Sequence, residues 1–107
     1  KKSRCIAYYH EKNNKEEAPE ILEKLKKEHK KARHIPYAYK IDQEIKKSDD
    51  KEPSGTSGMP ILNMIEKNNL NHTLIAVVRY FGGIKLGAGG LIRAYGNAVK
   101  DVIKKSE

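Results

Sequence analysis

The residues able to do chemistry in this chain gather in two short stretches. The first, "SDDKEPSGTSG", sets Asp49, Asp50 and Glu52 within four positions and follows them with Ser54, Gly55, Thr56, Ser57 and Gly58. Carboxylates so spaced can take a divalent cation, serve as a base, or pair with cations elsewhere in a fold. The second, "RYFGGIKLGAGGLIRAY" (79–95), interleaves five glycines with Arg79, Lys85 and Arg93. Gly87, Gly89 and Gly90 carry no Cβ, so a phosphate or another backbone can come close to their amides, with cations alongside.

The established nucleotide fingerprints fail here. GxGxxG fits Gly87 and Gly89 but needs glycine where Ile92 stands, and GxxxxGK[ST] fits Gly82 and Gly87 but meets Ala88 where lysine is required. The acidic stretch lacks EF-hand spacing and no His or Cys cluster accompanies it, so no metal and no cofactor is expected. Its carboxylates are expected instead to pair with Arg79, Lys85 or Arg93 across the fold. The G-x-S-x-G elbow breaks at Met59. His10, His29, His34 and His72 are scattered, no catalytic residue can be assigned, and an enzyme is the less favoured class. A structural reading stands beside the functional one: the glycines would make tight turns and close helix–sheet contacts, and Ser54, Thr56 or Ser57 would cap a helix.

The elements that must position these stretches follow from periodicity. Residues 3–9, "SRCIAYY", read as a strand with Cys5 as a small buried hydrophobe. Ala18, Ile21, Leu22 and Leu25 recur at helical spacing from Glu17 to about Lys31, with Pro19 tolerable in the first turn. "HIPYAYKI" (34–41) is a second strand, which Pro36 confines to an edge or a bulge, and Ile45 to Lys47 a short return strand. Ile61 to Asn69 form a short helix. "HTLIAVVRY" (72–80) is the strongest strand signal, a nearly continuous apolar run of the kind buried on both faces. Leu91, Ile92, Tyr95, Ala98, Val99, Val102 and Ile103 then mark a long C-terminal helix. The fold expected is α+β: a β-α-β-β-α-β-α two-layer sandwich, with a four-stranded mixed sheet and helices packed on one face.

The chain's 107 residues suit a single domain spanning 1–107. No apolar run approaches the length of a membrane span. One cysteine precludes an internal disulfide and points to the cytoplasm. Twenty-two Lys and Arg against 14 Asp and Glu leave a formal net charge of +8, which favours anionic partners. Eighteen of those cations are lysines, many of them sharing helix faces with glutamate, so part of the excess is ordinary surface solvation.

Taken together, "SDDKEPSGTSGMPIL" and "VVRYFGGIKLGAGGLIRAY" resemble the signature of the IMPACT N-terminal domain, which occurs in bacterial YigZ proteins and eukaryotic IMPACT translational regulators. The resemblance covers nearly the whole chain. It carries over Asp49, Asp50, Glu52, Pro53, Ser54, Gly55, Thr56 and Gly58 from the first motif. From the second it carries over Arg79, Tyr80, Phe81, Gly82, Gly83, Lys85, Leu86, Gly87, Gly89, Gly90, Arg93 and Tyr95. The sequence departs from the family pattern at Lys51, where glycine is usual, at Met59, where lysine is frequent, and at Cys5, where an aromatic is frequent.

What the resemblance implies is a fold similar to domain IV of elongation factor G, and binding of nucleic acid or ribosome-associated factors in translation regulation. The smaller ferredoxin-like domain that follows in bacterial relatives is not expected within these residues. Three functions stand as expectations. The leading one is a non-enzymatic module that binds RNA or a ribosome-associated partner through Arg79, Lys85, Arg93 and the glycines. The others are a small-ligand or phosphate-binding enzyme with both stretches as walls of one cleft, and a protein–protein interaction domain.

Overall fold

A computed structural model describes residues 4–80 and 85–106. In chain order the elements are β1 (Arg4–Glu11), a 3-10 turn (Lys15–Glu17), α1 (Ala18–Glu28), β2 (Tyr37–Ile41), β3 (Glu44–Ser48), α2 (Gly58–Lys67), β4 (Thr73–Tyr80) and α3 (Gly87–Ser106). The expected α+β class and element order are present. Phe81, Gly82 and Gly83 of the second motif lie outside the described residues.

Two features of the expected sheet are corrected. The strand order is β1-β4-β2-β3, and every pairing is antiparallel, so the sheet is not mixed. β1 and β2 run parallel, as a strand–helix–strand unit requires, but β4 is inserted between them and runs against both. The helices also cover both faces rather than one, giving three layers. Leu74, Ala76 and Val78 of β4 meet Ala18, Ile21 and Leu25 of α1. Ile75 and Val77 meet Ile61 and Ile65 of α2 with Leu91, Tyr95 and Val99 of α3. Alternate residues of a strand point to opposite faces, so a central strand between two helical layers must be apolar throughout. The run in 72–80 already carried that requirement.

Smaller shifts have local causes. α1 stops at Glu28, with His29 as its C-cap. β2 starts at Tyr37 because Pro36 has no N–H to give the ladder; its carbonyl accepts from the Val77 amide at 2.9 Å, and His34 makes an isolated bridge to Arg79. Ile92 is 45% exposed and lies off the buried face of α3. Cys5 is half-buried against the α2–α3 layer, and desolvation pushes its thiol pKa up. Among the described residues no helix is long and apolar enough to cross a membrane.

Candidate functional site

The acidic stretch folds as a loop that ends in α2, and its carboxylates go to three separate destinations. Asp49 turns back onto the start of the helix. Its Oδ1 accepts from the Ser57 amide at 3.1 Å, the Gly58 amide at 2.8 Å and the Ser57 hydroxyl at 3.0 Å, while Oδ2 accepts from the Gly55 amide at 3.0 Å. Burial alone would raise the pKa of this carboxyl, but the bonds from Gly55, Gly58 and Ser57 outweigh it and hold the pKa below the usual aspartate value. The expected capping hydroxyls therefore yield to Asp49: Ser57 donates to it, Thr56 Oγ1 donates to the Pro53 carbonyl at 2.5 Å, and Ser54 is exposed. Gly58 is fixed by proximity, since a Cβ there would come within 2.9 Å of the Ser48 backbone carbon.

Asp50 accepts from the Ile35 amide at 2.7 Å, and its carbonyl lies 2.8 Å from Nδ1 of His34. It thereby draws the segment before β2 toward the loop. Glu52 turns inward and is 6% exposed. It accepts from Arg79 Nε and, at 3.3 Å, from Arg79 Nη2, and Tyr95 Oη donates to it at 2.5 Å. Burial first, and then the Glu52 carboxylate, push the Tyr95 hydroxyl pKa far above its ordinary value. The carboxylate–cation pairing expected from the sequence is present as Glu52–Arg79.

That pairing corrects the role expected for Arg79. It is 7% exposed and committed to Glu52, so it forms part of the floor of the site rather than a free anion-binding surface. Tyr95, fully buried, is a core residue. Tyr80 bonds to His29 at 2.5 Å, and the Arg4 guanidinium lies 5.2 Å from the centre of its ring.

Both stretches do share one cleft, of about 410 Å³, lined by Glu52 and Pro53 from the acidic loop and by Lys85, Leu86, Gly87 and Ala88 from the glycine stretch. Arg79 and Leu91 complete the floor, and Arg33 and His34 form a third wall. That third wall was missed from the sequence. The Arg79 amide donates to the His34 carbonyl at 3.0 Å and the Arg33 amide to the Arg79 carbonyl at 3.3 Å, contacts that no local pattern announces.

The glycines divide by role. Gly87 opens α3 at φ +72°, a backbone angle that disfavours side chains, with nothing within 4 Å of where a Cβ would sit. Gly90 is held by Leu86, whose Cβ would be 3.0 Å from an added methyl. Gly89 packs against no element of the sheet, and the nearest atom to its missing Cβ is Arg93 Nη1 at 3.5 Å. Arg93 therefore leans back over the first turn of α3. Lys85 and Arg93 are both exposed, and among the described residues neither has an ion-pair partner. The first turn of α3 contains no acidic residue.

The fold and cleft define an α+β domain with a cation-flanked helix N-terminus over a buried ion pair. The chain belongs to the Impact N-terminal domain family, whose pattern matches residues 1–103. It is 50% identical over 103 residues to the IMPACT family member YvyE of Bacillus subtilis, covering 94% of this chain and 48% of that protein. It is 37% identical over 110 residues to the IMPACT family member YigZ of Escherichia coli, covering 98% and 54%. The chain thus spans about half the length of these relatives. A crystal structure described as a hypothetical protein superposes with TM-score 0.92 at 37% identity, over 98% of this chain and 53% of the other. The two-domain translational regulator Yih1 shares the fold with TM-score 0.58 at 24% identity, over 95% and 42%.

Proposed function

We propose that this domain is a non-enzymatic binding module in translation regulation, and that it engages single-stranded RNA phosphates at the N-terminus of α3. The observation that carries this reading is the open first turn of a 20-residue helix, flanked by exposed Lys85 and Arg93 and supplied with no internal anion among the described residues. The leading N–H groups of a helix have no intrahelical acceptor and meet the positive end of its dipole, a combination that binds phosphate. Gly89 lets a phosphate approach past a missing side chain. Arg33 extends the basic wall on the far side of the cleft. The likeness in fold to a translational regulator fits this assignment.

Titration of a fluorescent single-stranded RNA at several salt concentrations tests it. Affinity is expected to fall steeply with salt as bound counterions are released. Lys85→Ala combined with Arg93→Ala removes two phosphate contacts and lowers the slope of log K against log salt by about 1.4. Affinity independent of salt, or unchanged in the double variant, would rule the reading out. A stoichiometric protein partner that survives nuclease and competes for the same residues would assign the surface to protein instead.

A further inference from the structure

The strand order β1-β4-β2-β3 leaves two edge strands, and they are built differently. β3 is five residues long and carries Glu44, Lys46 and Lys47, charges of the kind that keep an edge from pairing with another chain. β1 is eight residues long and holds no charge from Cys5 to Tyr9. Its pairing with β4 decides which of its main-chain groups are left over. The Lys12 amide donates to the His72 carbonyl at 2.8 Å, in the register of the β1–β4 ladder, so Ile6, Tyr8 and His10 also bond toward β4. The N–H and C=O groups of Cys5, Ala7 and Tyr9 therefore point away from the sheet, and among the described residues no strand takes them.

Such a row can accept one more strand. A groove runs along it on each face. One, of about 260 Å³, lies against Ala98, Asp101, Val102 and Lys105 of α3, and the other, of about 430 Å³, against Glu20, Lys24 and Glu28 of α1. Each rim carries both signs of charge, which suits the same surface turned end for end better than a uniformly anionic partner. We propose that β1 is a dimerisation edge: two copies of this chain pair antiparallel through β1 about a two-fold axis normal to the sheet, making one continuous eight-stranded sheet.

The chain also sets the register. Such an axis keeps each face on its own side, so residues opposite one another come from the same face. Cys5, Ala7 and Tyr9 pack toward α2 and α3, and Ile6 and Tyr8 toward α1. Centring the pair on Ala7 sets Cys5 opposite the partner subunit's Tyr9 and Ile6 opposite the partner subunit's Tyr8. The outward groups of Cys5, Ala7 and Tyr9 then meet their counterparts, and only uncharged residues face one another across this segment. Centring on Tyr8 would instead bring the Glu11 carboxylate opposite Cys5. This inference is independent of the RNA reading.

Sedimentation equilibrium at increasing concentration tests it, with a mass of twice the chain expected for the wild type. Ala7→Pro removes an N–H that faces away from β4, a position where a strand tolerates proline, and should weaken the dimer at least tenfold. Ala7→Cys combined with Cys5→Ala should give a disulfide-linked dimer under mild oxidation, because Cα atoms across a hydrogen-bonded antiparallel pair lie about 5.5 Å apart, within disulfide reach. A single-chain mass at the highest soluble concentration would overturn the inference. So would a dimer that folded Ala7→Pro leaves unchanged, or one in which Ala7→Cys does not cross-link. Should Ala7→Pro not fold, the wild-type mass and the cross-link decide.

Discussion

The N-terminus of α2 is closed by an anion from its own loop, whereas the N-terminus of α3 has none among the described residues. Asp49 accepts from the amides of Gly55, Ser57 and Gly58 and so occupies the position a bound phosphate would take. At α3 the glycine-rich first turn lies open, with Lys85 and Arg93 beside it. Both helices begin at a glycine and pack in the same layer. The difference shows that glycine at a helix start is not itself a sign of ligand binding; what matters is whether the chain supplies its own acceptor.

The comparison can be broken at several points. The largest effect is expected at Glu52, the one acidic-loop carboxylate that serves the cleft floor. Glu52→Ala leaves Arg79 buried without its carboxylate and should cost about 3–5 kcal/mol in urea denaturation. A loss below about 1 kcal/mol would show that the pair does not hold the acidic loop to β4.

Asp49→Ala opens α2 and should cost about 2 kcal/mol, the upper range for a capping side chain. Because the folded-state pKa of Asp49 is lowered, its contribution is full above the unfolded aspartate value of about 3.9 and is lost as pH falls through the folded value. Asp49→Asn should therefore show a flatter stability profile than the wild type on the acid side of that value. Superimposable profiles would refute the assignment.

Lys51 sits at φ +71° in the same loop, a left-handed backbone angle that favours glycine. Lys51→Gly should raise stability by up to about 1 kcal/mol, because the left-handed strain outweighs the added chain entropy. A lower melting temperature would contradict this.

The smallest change in stability comes from closing α3. Ala88→Glu places a carboxylate in its first turn and should stabilise the fold by about 0.5 kcal/mol through the helix dipole, while weakening RNA binding at least tenfold. A variant that still binds RNA as well as the wild type would separate the helix N-terminus from the binding surface.

Much of this architecture was legible in the residue pattern. The apolar run of β4 identified a strand covered on both sides, and the spacing from Leu91 to Ile103 identified α3. The two motifs identified the family and suggested that a carboxylate of the first would meet Arg79, Lys85 or Arg93 of the second. Less legible was which cation faces inward. Arg79 and Arg93 look alike in sequence, but β4 alternation turns Arg79 into the α2–α3 layer, while the helical turn leaves Arg93 outside. His34 was seen as one scattered histidine because its place in the cleft depends on bridging to Arg79, 45 residues away.

By itself, then, the sequence determined the elements, their order and the family, because apolar periodicity and motif spacing are local properties of the chain. The tertiary structure decided that the sheet is wholly antiparallel with helices on both faces, that Asp49 satisfies α2, and that Glu52, Arg79 and His34 converge beneath an open α3. Those outcomes depend on which side chain reaches which partner once β4 lies between β1 and β2. Distance and burial settle that, and neither is written in the spacing of residues along a strand or helix.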